Sequence, residues 1–320
     1  MKANKIGVGV IGAGGVGEKV MEVFSQHPDA EIIGICDTNK KVLSKYFSSK
    51  INLYLDYRDL MDHENVDLVY IAVPPKFHYP VTIEALQKNK HVLCEKPLAH
   101  SLEEAEKMLM TAQKKGVIHA MNFPTFYRNA YKIMEEIVLS NRLGDIQRIQ
   151  VRSHFPAWPR DWQQNNWINT RDQGGFIREI MPHYIQIIQH LFGPIQPLQS
   201  LVNYPEAAAE SETGLMAAGS LKNGTPVVFD GLTGTGEKEI MEFTIYGTTG
   251  VVMLKDWNQV YFGEKNQGLI RLDDAAPINH LLDLVDHVLQ AIKGNDAKLI
   301  TFKEGAAIQQ VLEELICSRR

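Results

Sequence analysis

The first part of the chain alternates short apolar runs with stretches in which apolar residues recur every three or four positions. Runs such as Ile6–Ile11 and Asp67–Val73 predict buried strands, and the amphipathic stretches between runs predict helices. Strands that alternate with helices form a parallel sheet with helices on both faces. We therefore predict a parallel α/β domain over residues 1–122, with strands at Ile6–Ile11, Glu31–Cys36, Ile51–Leu55, Asp67–Val73, Val92–Cys94 and Val117–Met121.

The pattern changes after Phe123. Helical periodicity marks Ala130–Leu139 and the stretch that runs to Phe192, and a strand is predicted at Ile146–His154. From residue 198 to residue 262, strands follow one another with turn signals and no helices between them, which predicts a large, mostly antiparallel sheet. We expect residues 123–320 to form an α+β domain, with helices on one sheet face and the other face free to pair with another subunit.

A glycine-rich loop follows the first predicted strand. It has the sequence Gly12-Ala13-Gly14-Gly15-Val16-Gly17, and a helical pattern begins directly after it. Strand, G-x-G-x-x-G and helix in this order are typical of a dinucleotide site, in which the helix N-terminus holds the phosphates. We expect Gly12 to form the tight turn, Gly14 to let a pyrophosphate approach, and Gly17 to let the helix pack on the strand.

An acidic residue, Asp37, ends the second predicted strand. At this distance from the glycine loop, a carboxylate can accept hydrogen bonds from the adenosine ribose and would repel a 2′-phosphate. This favours NAD, while the nearby Lys40 and Lys41 keep NADP possible. Alternatively, Asp37 is only the N-cap of a helix over Thr38–Phe47.

Several other polar residues follow strand ends that should share one edge of the sheet. They are Pro74 and His78 after the fourth strand, Glu95 and Lys96 after the fifth, and Asn122 after the sixth. Ligands of such sheets bind beyond the carboxyl ends of the strands, so we predict a crevice at this edge. For His78, a capping or packing role is the main alternative.

The second half carries further candidates for substrate binding and proton transfer. Glu179 and His183 are four residues apart on one predicted helix, so they share a face and can form a proton-transfer pair. The irregular segment from Phe155 to Trp167 is rich in tryptophan, and its Trp162, with the later Arg171, could line a pocket. An exposed i,i+4 pair and plain loop packing or a subunit contact are the respective alternatives.

Composition and charge narrow the class of partner. The chain has 320 residues, of which 44% are hydrophobic and 22% charged, and its net charge is −5. This acidic balance, without a dense Lys/Arg tract, argues against a nucleic-acid partner. No apolar run approaches the ~20 residues of a membrane span. The cysteines Cys36, Cys94 and Cys317 lack the spacing of a disulfide framework or zinc site, so we predict no metal and a cytoplasmic location.

Three motifs, in this order and spacing, resemble the Gfo/Idh/MocA family of nicotinamide-dependent oxidoreductases. They are the glycine loop at residues 12–17, Glu95-Lys96-Pro97, and Gly174-Gly175 leading to Glu179 and His183. The resemblance covers nearly the whole chain. It implies a Rossmann domain followed by a mainly antiparallel α/β domain, whose last helix, residues 302–317, packs back near the first domain.

The resemblance also implies roles for single residues. Lys96 looks like the family's active-site lysine, with a cis bond to Pro97, and His183 looks like the histidine that exchanges a proton with the substrate hydroxyl. Two positions depart from the family pattern. Glu179 stands where most relatives have aspartate, which indicates a different pocket or substrate, and Pro75 stands where many have asparagine.

These residues together predict an NAD(P)-dependent dehydrogenase or reductase that acts on a secondary alcohol or ketone of a sugar, cyclitol or related polyol. Two alternatives stay open: a non-catalytic regulator that senses NAD(P), and a reductase of an imine, amino-acid-derived or tetrapyrrole substrate. We expect a homodimer or homotetramer formed through the C-terminal sheet. The predicted catalytic residues are Lys96, His183 and Glu179; the cofactor residues are Gly12, Ala13, Gly14, Gly15, Val16, Gly17, Asp37, Pro74, His78, Glu95, Lys96 and Asn122; the substrate residues are Lys96, Trp162, Arg171, Glu179 and His183.

Overall fold

The computed structural model describes residues 5–163, 165–196, 199–272 and 279–317. The chain divides into two compact units, residues 1–124 with 279–306 and residues 125–278 with 307–320. The helices are α1 (Gly15–Gln26), α2 (Lys40–Leu43), α3 (Tyr57–Met61), α4 (His78–Gln87), α5 (Leu102–Lys115), α6 (Asn129–Leu139), α7 (Phe176–Phe192), α8 (His280–Ile292) and α9 (Phe302–Ile316). The strands are β1 (Ile6–Ile11), β2 (Ala30–Cys36), β3 (Asn52–Tyr54), β4 (Leu68–Ile71), β5 (His91–Cys94), β6 (His119–Met121), β7 (Ile146–Phe155), β8 (Gln199–Asn203), β9 (Gly214–Ser220), β10 (Pro226–Thr233), β11 (Ile240–Gly247), β12 (Gly250–Lys255), β13 (Gln259–Glu264) and β14 (Ile270–Arg271).

The first unit is a doubly wound parallel sheet. Its six strands lie in the order β3-β2-β1-β4-β5-β6, and every neighbouring pair is parallel. All residues of β1 and β4 are buried, as expected for strands with helices on both faces. The predicted parallel α/β sheet is confirmed. In this strand order the direction of winding reverses between β1 and β4, which is where such sheets bind their ligands.

The helices of the first unit begin and end where the sequence signals lie. Ser101 caps α5 by accepting a hydrogen bond from the backbone N–H of Glu104, and Gly116 ends the helix with a left-handed φ of 64°. Three predicted strands are shorter than expected, and one of them, predicted at Val117–Met121, has only the residues of β6. The predicted strand at Asp67–Val73 ends at Ile71, before the proline pair, and the strand within residues 51–55 has only the residues of β3.

Residues 279–306 belong to the first unit, although the sequence analysis assigns them to the second domain. The backbone N–H of Met121 donates to the carbonyl of Ile300 at 2.7 Å, and Lys293 forms an ion pair of 2.5 Å with Asp29. These contacts join the late segment to β6 and to the end of α1. The expected boundary after residue 122 lies two residues before the change of unit at Pro124 and Thr125.

The second unit is built on an eight-stranded sheet in the order β14-β13-β12-β11-β7-β10-β9-β8. All neighbours are antiparallel except β10 and β7, which run parallel. The predicted mostly antiparallel sheet is confirmed. The first strand of the stretch predicted from residue 198 onward begins at Gln199 in the structure, and Leu198 lies outside the described residues.

Alternate residues along the central strands of this sheet are buried on one face. On β7, Ile149, Val151, Ser153 and Phe155 are buried. The opposite, outer face carries Leu201 and Met216, which are 59% and 68% exposed. Across the described ranges, no helix combines the length and apolar character that crossing a bilayer requires.

Candidate active site

The glycine loop has the shape that a dinucleotide requires. Gly12 has a φ of 91°, and a Cβ atom there would lie 2.3 Å from the carbonyl oxygen of Ala72. A Cβ atom at Gly17 would lie 2.0 Å from the carbonyl oxygen of Gly12. At Gly14 and Gly15, in contrast, a Cβ atom would meet nothing within 4 Å. Gly12 and Gly17 are therefore fixed by packing inside the protein, while Gly14 and Gly15 border open space.

The start of α1 suits a phosphate group. Gly14 is the N-cap residue and provides no side-chain hydrogen bond to the first turn. The first N–H groups of a helix have no partner within the helix, and the helix dipole adds positive charge there. The loop therefore fits a pyrophosphate held by the backbone at this helix N-terminus.

Asp37 is bound to the glycine loop. Its Oδ2 accepts a hydrogen bond from the backbone N–H of Ala13 at 3.0 Å, and its Oδ1 accepts one from the N–H of Asn39 at 2.8 Å. The helix that follows is capped by Asn39 and begins at Lys40, so the alternative in which Asp37 is the N-cap is wrong. Asp37 thus lies at the end of β2 beside the loop, where a ribose hydroxyl of a dinucleotide would be recognised.

His78 connects the loops that follow β4 and β5. The residue is fully buried, its Nδ1 lies 2.8 Å from the carbonyl oxygen of Pro97, and its Nε2 lies 2.8 Å from that of Val73. Burial lowers the pKa of His78, so the ring is neutral at pH 7 and donates to one of the two carbonyls. Both ring nitrogens therefore face protein backbone. The packing role, which the sequence left open, is the one that the structure supports.

Glu95 lies at the centre of a hydrogen-bond network beneath Lys96. Tyr70 donates to Glu95 Oε1 at 2.6 Å, and the side-chain amide of Asn122 donates to the same oxygen. Burial raises the pKa of Glu95, while these two donors act in the opposite direction. Glu95 therefore ties the ends of β4, β5 and β6 together and holds the turn from which Lys96 projects.

Two features of this strand edge bear on ligand binding. The peptide bond between Lys96 and Pro97 is cis, as the family resemblance implies. Asn122 is only 3% exposed, and within the described part of the chain its Oδ1 has no hydrogen-bond partner. Buried acceptors are normally paired, so this oxygen fits a donor group from a bound ligand.

In the second unit, Gly174 and Gly175 begin α7. Gly175 has a φ of 97°, and a Cβ atom there would lie 2.2 Å from a carboxylate oxygen of Glu212. Glu212 is 3% exposed, and its Oε1 accepts a hydrogen bond of 2.7 Å from the backbone N–H of Ile177. Burial raises the pKa of Glu212, and the Ile177 N–H opposes that shift. Gly175 therefore leaves room for a buried carboxylate that caps the helix carrying Glu179 and His183.

His183 lies against two residues from distant parts of the second unit. Its Nδ1 is 3.2 Å from the Oγ1 of Thr125, and its ring centroid is 5.3 Å from that of Trp257. Glu179 precedes it by one helical turn, and α7 continues through Pro182 without a break. The structure thus gives the predicted base a hydrogen-bond partner and an aromatic neighbour that the sequence analysis did not identify.

Trp162 and Arg171 have neighbours of their own. Trp162 is 67% exposed and lies 5.9 Å from the guanidinium of Arg160, which is paired with Glu239. The guanidinium of Arg171 stacks on Tyr204 at 3.7 Å. Substrate binding by Trp162 and Arg171 stays a prediction. Among the described residues, no group of three or more His, Cys, Asp or Glu side chains is arranged to hold a metal ion.

Four residues with defined roles were missed, namely Tyr70, Thr125, Glu212 and Trp257. Each acts through a partner distant in sequence, at separations of 25 residues for Tyr70, 58 for Thr125 and 35 for Glu212. Of these four residues, only Trp257 is marked by a local sequence feature, which is a short turn between two apolar strands.

The fold and these strand-end residues define a dinucleotide-binding α/β protein with a second, sheet-bearing unit. Two family models match the chain: an oxidoreductase family with an NAD-binding Rossmann fold over residues 6–123, and the Gfo/Idh/MocA C-terminal domain over residues 131–253. The chain belongs to the Gfo/Idh/MocA oxidoreductase family.

Its curated relatives include sugar dehydrogenases. Glucose-6-phosphate 3-dehydrogenase of Bacillus subtilis is 29% identical over 187 residues, which cover 58% of this chain and 53% of that protein. D-glucoside 3-dehydrogenase of Escherichia coli is 30% identical over 167 residues, or 49% of this chain and 47% of that protein. The chain spans about half the length of these curated relatives.

Solved structures show the same fold. A levoglucosan dehydrogenase in complex with NADH and L-sorbose has a TM-score of 0.86 and 17% identity, covering 98% of this chain and 96% of that one. The WlbA dehydrogenase of Bordetella pertussis, in complex with NADH and UDP-GlcNAcA, has a TM-score of 0.84 and 22% identity, with coverages of 98% and 96%. These structures extend the likeness in fold over almost the whole chain.

Proposed function

We propose that this protein is an NAD(P)-dependent dehydrogenase that oxidises a secondary hydroxyl of a sugar, cyclitol or related polyol, or reduces the corresponding ketone. One observation carries the proposal. Lys96 follows β5 at the same sheet edge as a glycine loop whose open positions, Gly14 and Gly15, fit a dinucleotide. The sugar dehydrogenases among the curated relatives support the choice of substrate class.

The cofactor would be held by the backbone of the glycine loop, by Asp37 at the ribose and by Asn122 through its unpaired Oδ1. When bound, NAD supplies the hydride acceptor. We assign NAD as the preferred cofactor because the carboxylate of Asp37, at the end of β2, would repel the 2′-phosphate of NADP. In this role Asp37 both holds the loop and selects the cofactor.

Three side chains would carry the chemistry. His183 takes the proton of the reacting hydroxyl, and Lys96 donates a hydrogen bond to the same oxygen, which stabilises the negative charge that develops there. Glu179 accepts a hydrogen bond from a neighbouring substrate hydroxyl. Oxidation of the alcohol would leave a ketone, with His183 holding the hydroxyl proton and a bound NAD supplying the acceptor for the C–H hydride.

Replacing Lys96 by methionine tests the proposal. We expect Lys96→Met to bind NAD within about twofold of the wild type and to lose a factor of about 10²–10³ in kcat, the usual cost of removing a donor that stabilises developing negative charge. Binding is measured by calorimetry and turnover by NADH absorbance on a panel of sugars, polyols and ketones. Lys76→Met is a matched control, because Lys76 lies in the neighbouring strand-end loop and contacts the ring of Phe77. Wild-type turnover by Lys96→Met would contradict the assignment, and a wild type that binds NADH without turnover would favour the regulator.

We further propose that a second copy of the chain covers the outer face of the eight-stranded sheet. Leu201 and Met216 are paired on neighbouring strands. They form the exposed, apolar end of a row of side chains that runs across this face. The row continues through Asp230, Arg152 and Glu242, which alternate in charge. Such a row offers an antiparallel copy both apolar contact and opposite charges.

Size-exclusion chromatography with light scattering tests this contact. Met216→Lys should lower the oligomeric state, since it places a charge in the apolar end of the row. Leu139→Lys is the matched control, because Leu139 is 73% exposed at the end of α6. An unchanged mass for Met216→Lys, or an equal effect in both variants, would count against the sheet as the interface.

We also propose that the protein works in the reducing cytoplasm. Cys36, Cys94 and Cys317 are all free thiols. Burial raises the pKa of Cys36 to about 12 and that of Cys94 in the same direction, so both are protonated and unreactive at pH 7. Cell fractionation of the native protein tests the location, and recovery in a membrane or secreted fraction would overturn it.

A further inference from the structure

Thr125 lies against His183 in the second unit. It belongs to the 3-10 turn Pro124–Tyr127 and is only 5% exposed. Its Oγ1 is 3.2 Å from His183 Nδ1, a hydrogen-bond distance. This contact therefore bears on which nitrogen of the His183 ring carries the proton.

A neutral imidazole carries one proton, so its two nitrogens have opposite roles. If Nδ1–H donates to Thr125 Oγ1, then Nε2 carries no proton and its lone pair can accept one. If the Thr125 hydroxyl donates to Nδ1 instead, the proton sits on Nε2 and the ring cannot act as a base through that atom. We propose that Thr125 is a positioning residue that holds His183 in the Nδ1–H form. The inference rests on the proposed function, in which His183 is the base.

Trp257 restrains the orientation of the same ring. Asp256 and Trp257 form the turn between β12 and β13, with left-handed φ values of 49° and 64° that non-glycine residues rarely adopt. The indole stacks on Tyr184 with centroids 4.7 Å apart and an interplanar angle of 24°. It meets His183 at 64°, close to an edge-on contact.

The aromatic side chains that support Trp257 are buried. Tyr184 is 1% exposed and stacks in turn on Phe243, which is fully buried in β11. A stack of this kind limits the rotation of His183 about its side-chain bonds and keeps Nδ1 directed at Thr125. Thr125 thus sets the proton position, and Trp257 keeps the ring aligned for that hydrogen bond.

The choice of a threonine has a chemical consequence. A carboxylate in this position would favour the charged imidazolium, whereas a neutral hydroxyl can accept the Nδ1 proton without adding a negative charge. The hydroxyl thus orients the ring without adding a charge beside it. This arrangement suits a residue that must receive a proton from an alcohol.

The tautomer can be measured without turnover. We would record ¹⁵N–¹H correlation spectra of the full chain, labelled at histidine and assigned with His183→Gln, at a pH where the ring is neutral. We expect the wild type and Thr125→Ser to carry the proton on Nδ1, and Thr125→Val to show a mixture of both forms. A wild-type spectrum with the proton on Nε2 overturns the proposal, and this result does not depend on whether a Thr125 variant folds.

Kinetics provide the second measurement. We expect Thr125→Val to lower kcat by about tenfold or more, and by no more than the ~10²–10⁴ that a base contributes, with the KM for substrate near the wild-type value. Thr125→Ser should restore most of kcat. Thr225→Val is the matched control, because Thr225 is 6% exposed and its hydroxyl donates to a backbone carbonyl, that of Ile146, at 3.4 Å.

The outcomes separate the two proposals. If the wild type turns over no alcohol or ketone but its His183 carries the proton on Nδ1, the proposed function fails and the tautomer assignment stands. If the wild type is active and Thr125→Val keeps both its tautomer and its kcat, the role of Thr125 is wrong and the dehydrogenase assignment stands. Equal losses in Thr125→Val and Thr225→Val would mean that the effect is general destabilisation, which also overturns the positioning role.

Discussion

The hydroxyl of Tyr70 donates a hydrogen bond of 2.6 Å to the buried carboxyl of Glu95. Burial and the nearby Glu95 raise the pKa of Tyr70 well above its usual value, so the hydroxyl stays protonated and remains a donor. The turn that presents Lys96 therefore depends on a carboxyl that is kept inside the protein by two donors, Tyr70 and Asn122.

Removing the Tyr70 hydroxyl should destabilise the protein in a pH-dependent way. We expect Tyr70→Phe to cost about 1–3 kcal/mol of unfolding free energy, the usual loss for a buried polar group deprived of its partner. The folded-state pKa of Glu95 is already raised, so stability falls as pH rises from the ordinary value of 4.5 through the folded pKa. Loss of the Tyr70 donor raises the folded-state pKa of Glu95 further. The loss of unfolding free energy in Tyr70→Phe should therefore be larger at pH 8 than at pH 4.

Urea unfolding at both pH values measures this deficit. Tyr46→Phe is the control, because Tyr46 also donates to a glutamate, Glu18, but at 3.5 Å and to a side chain that is 44% exposed. It should change stability by less than about 0.5 kcal/mol. A Tyr70→Phe deficit that is equal at the two pH values would show that the hydroxyl does not act through Glu95.

Alanine should weaken cofactor binding at position 14 and destabilise the fold at position 17. Gly17→Ala places a Cβ atom 2.0 Å from a backbone oxygen, so it should lower the melting temperature strongly. Gly14→Ala meets no protein atom within 4 Å, so the fold should be kept while NAD binding weakens, because the added methyl enters the space of the pyrophosphate. Differential scanning fluorimetry and NADH titration measure the two effects, with Gly236→Ala as an open-space control elsewhere. Tight NADH binding by Gly14→Ala would mean that no phosphate lies there.

Asp37 should control the choice between NAD and NADP. A hydrogen bond to a charged group is worth about 1.5–3 kcal/mol, so Asp37→Ala should raise the Kd of NAD roughly tenfold to a hundredfold. Binding of NADP should weaken less or improve, since the repelling carboxylate is gone. Asp56→Ala is matched, because Asp56 also accepts a backbone N–H at the start of a helix. Equal losses for both cofactors in Asp37→Ala would indicate that Asp37 only holds the Ala13 loop.

Glu179 offers a test of the departure from the family pattern. If the longer side chain is fitted to this protein's own substrate, Glu179→Asp should raise KM with a smaller change in kcat, because the carboxylate is kept but withdrawn by one methylene. Glu179→Gln should lower kcat/KM more, by roughly tenfold or above, since the charge is lost. Steady-state kinetics on the best substrate of the panel separate these effects. Identical kinetics for wild type and Glu179→Gln would remove the carboxylate from the mechanism.

Much of the fold could be predicted from local pattern. The six-stranded sheet follows from apolar runs that alternate with amphipathic stretches. The residues that form the glycine loop are close together in the sequence, and so are those that form the helix cap at Ser101. The parallel pairing of β7 with β10 could not be predicted in this way. It joins strands that are separated by α7 and two further strands, and no local pattern records that choice.

The candidate site shows the same division. Lys96, Glu179 and His183 carry the family's motif, so their positions could be read from the chain. The residues that orient them could not, because Thr125, Glu212 and Tyr70 act by contacts between distant segments. His78 illustrates the limit in the other direction, since its place at a strand end suggested a ligand while its two ring nitrogens are taken by backbone carbonyls.

The return of residues 279–306 to the first unit makes the second unit, in large part, an insertion. The chain leaves the Rossmann unit after β6 and returns to it at α8. Most of the sheet-bearing unit is therefore one long connection between these two elements of the first unit. The entropy of closing such a loop depends only weakly on its length. Strands can therefore be added to or removed from the large sheet at little cost to the nucleotide-binding unit, which allows substrate range to diversify while the cofactor site is preserved.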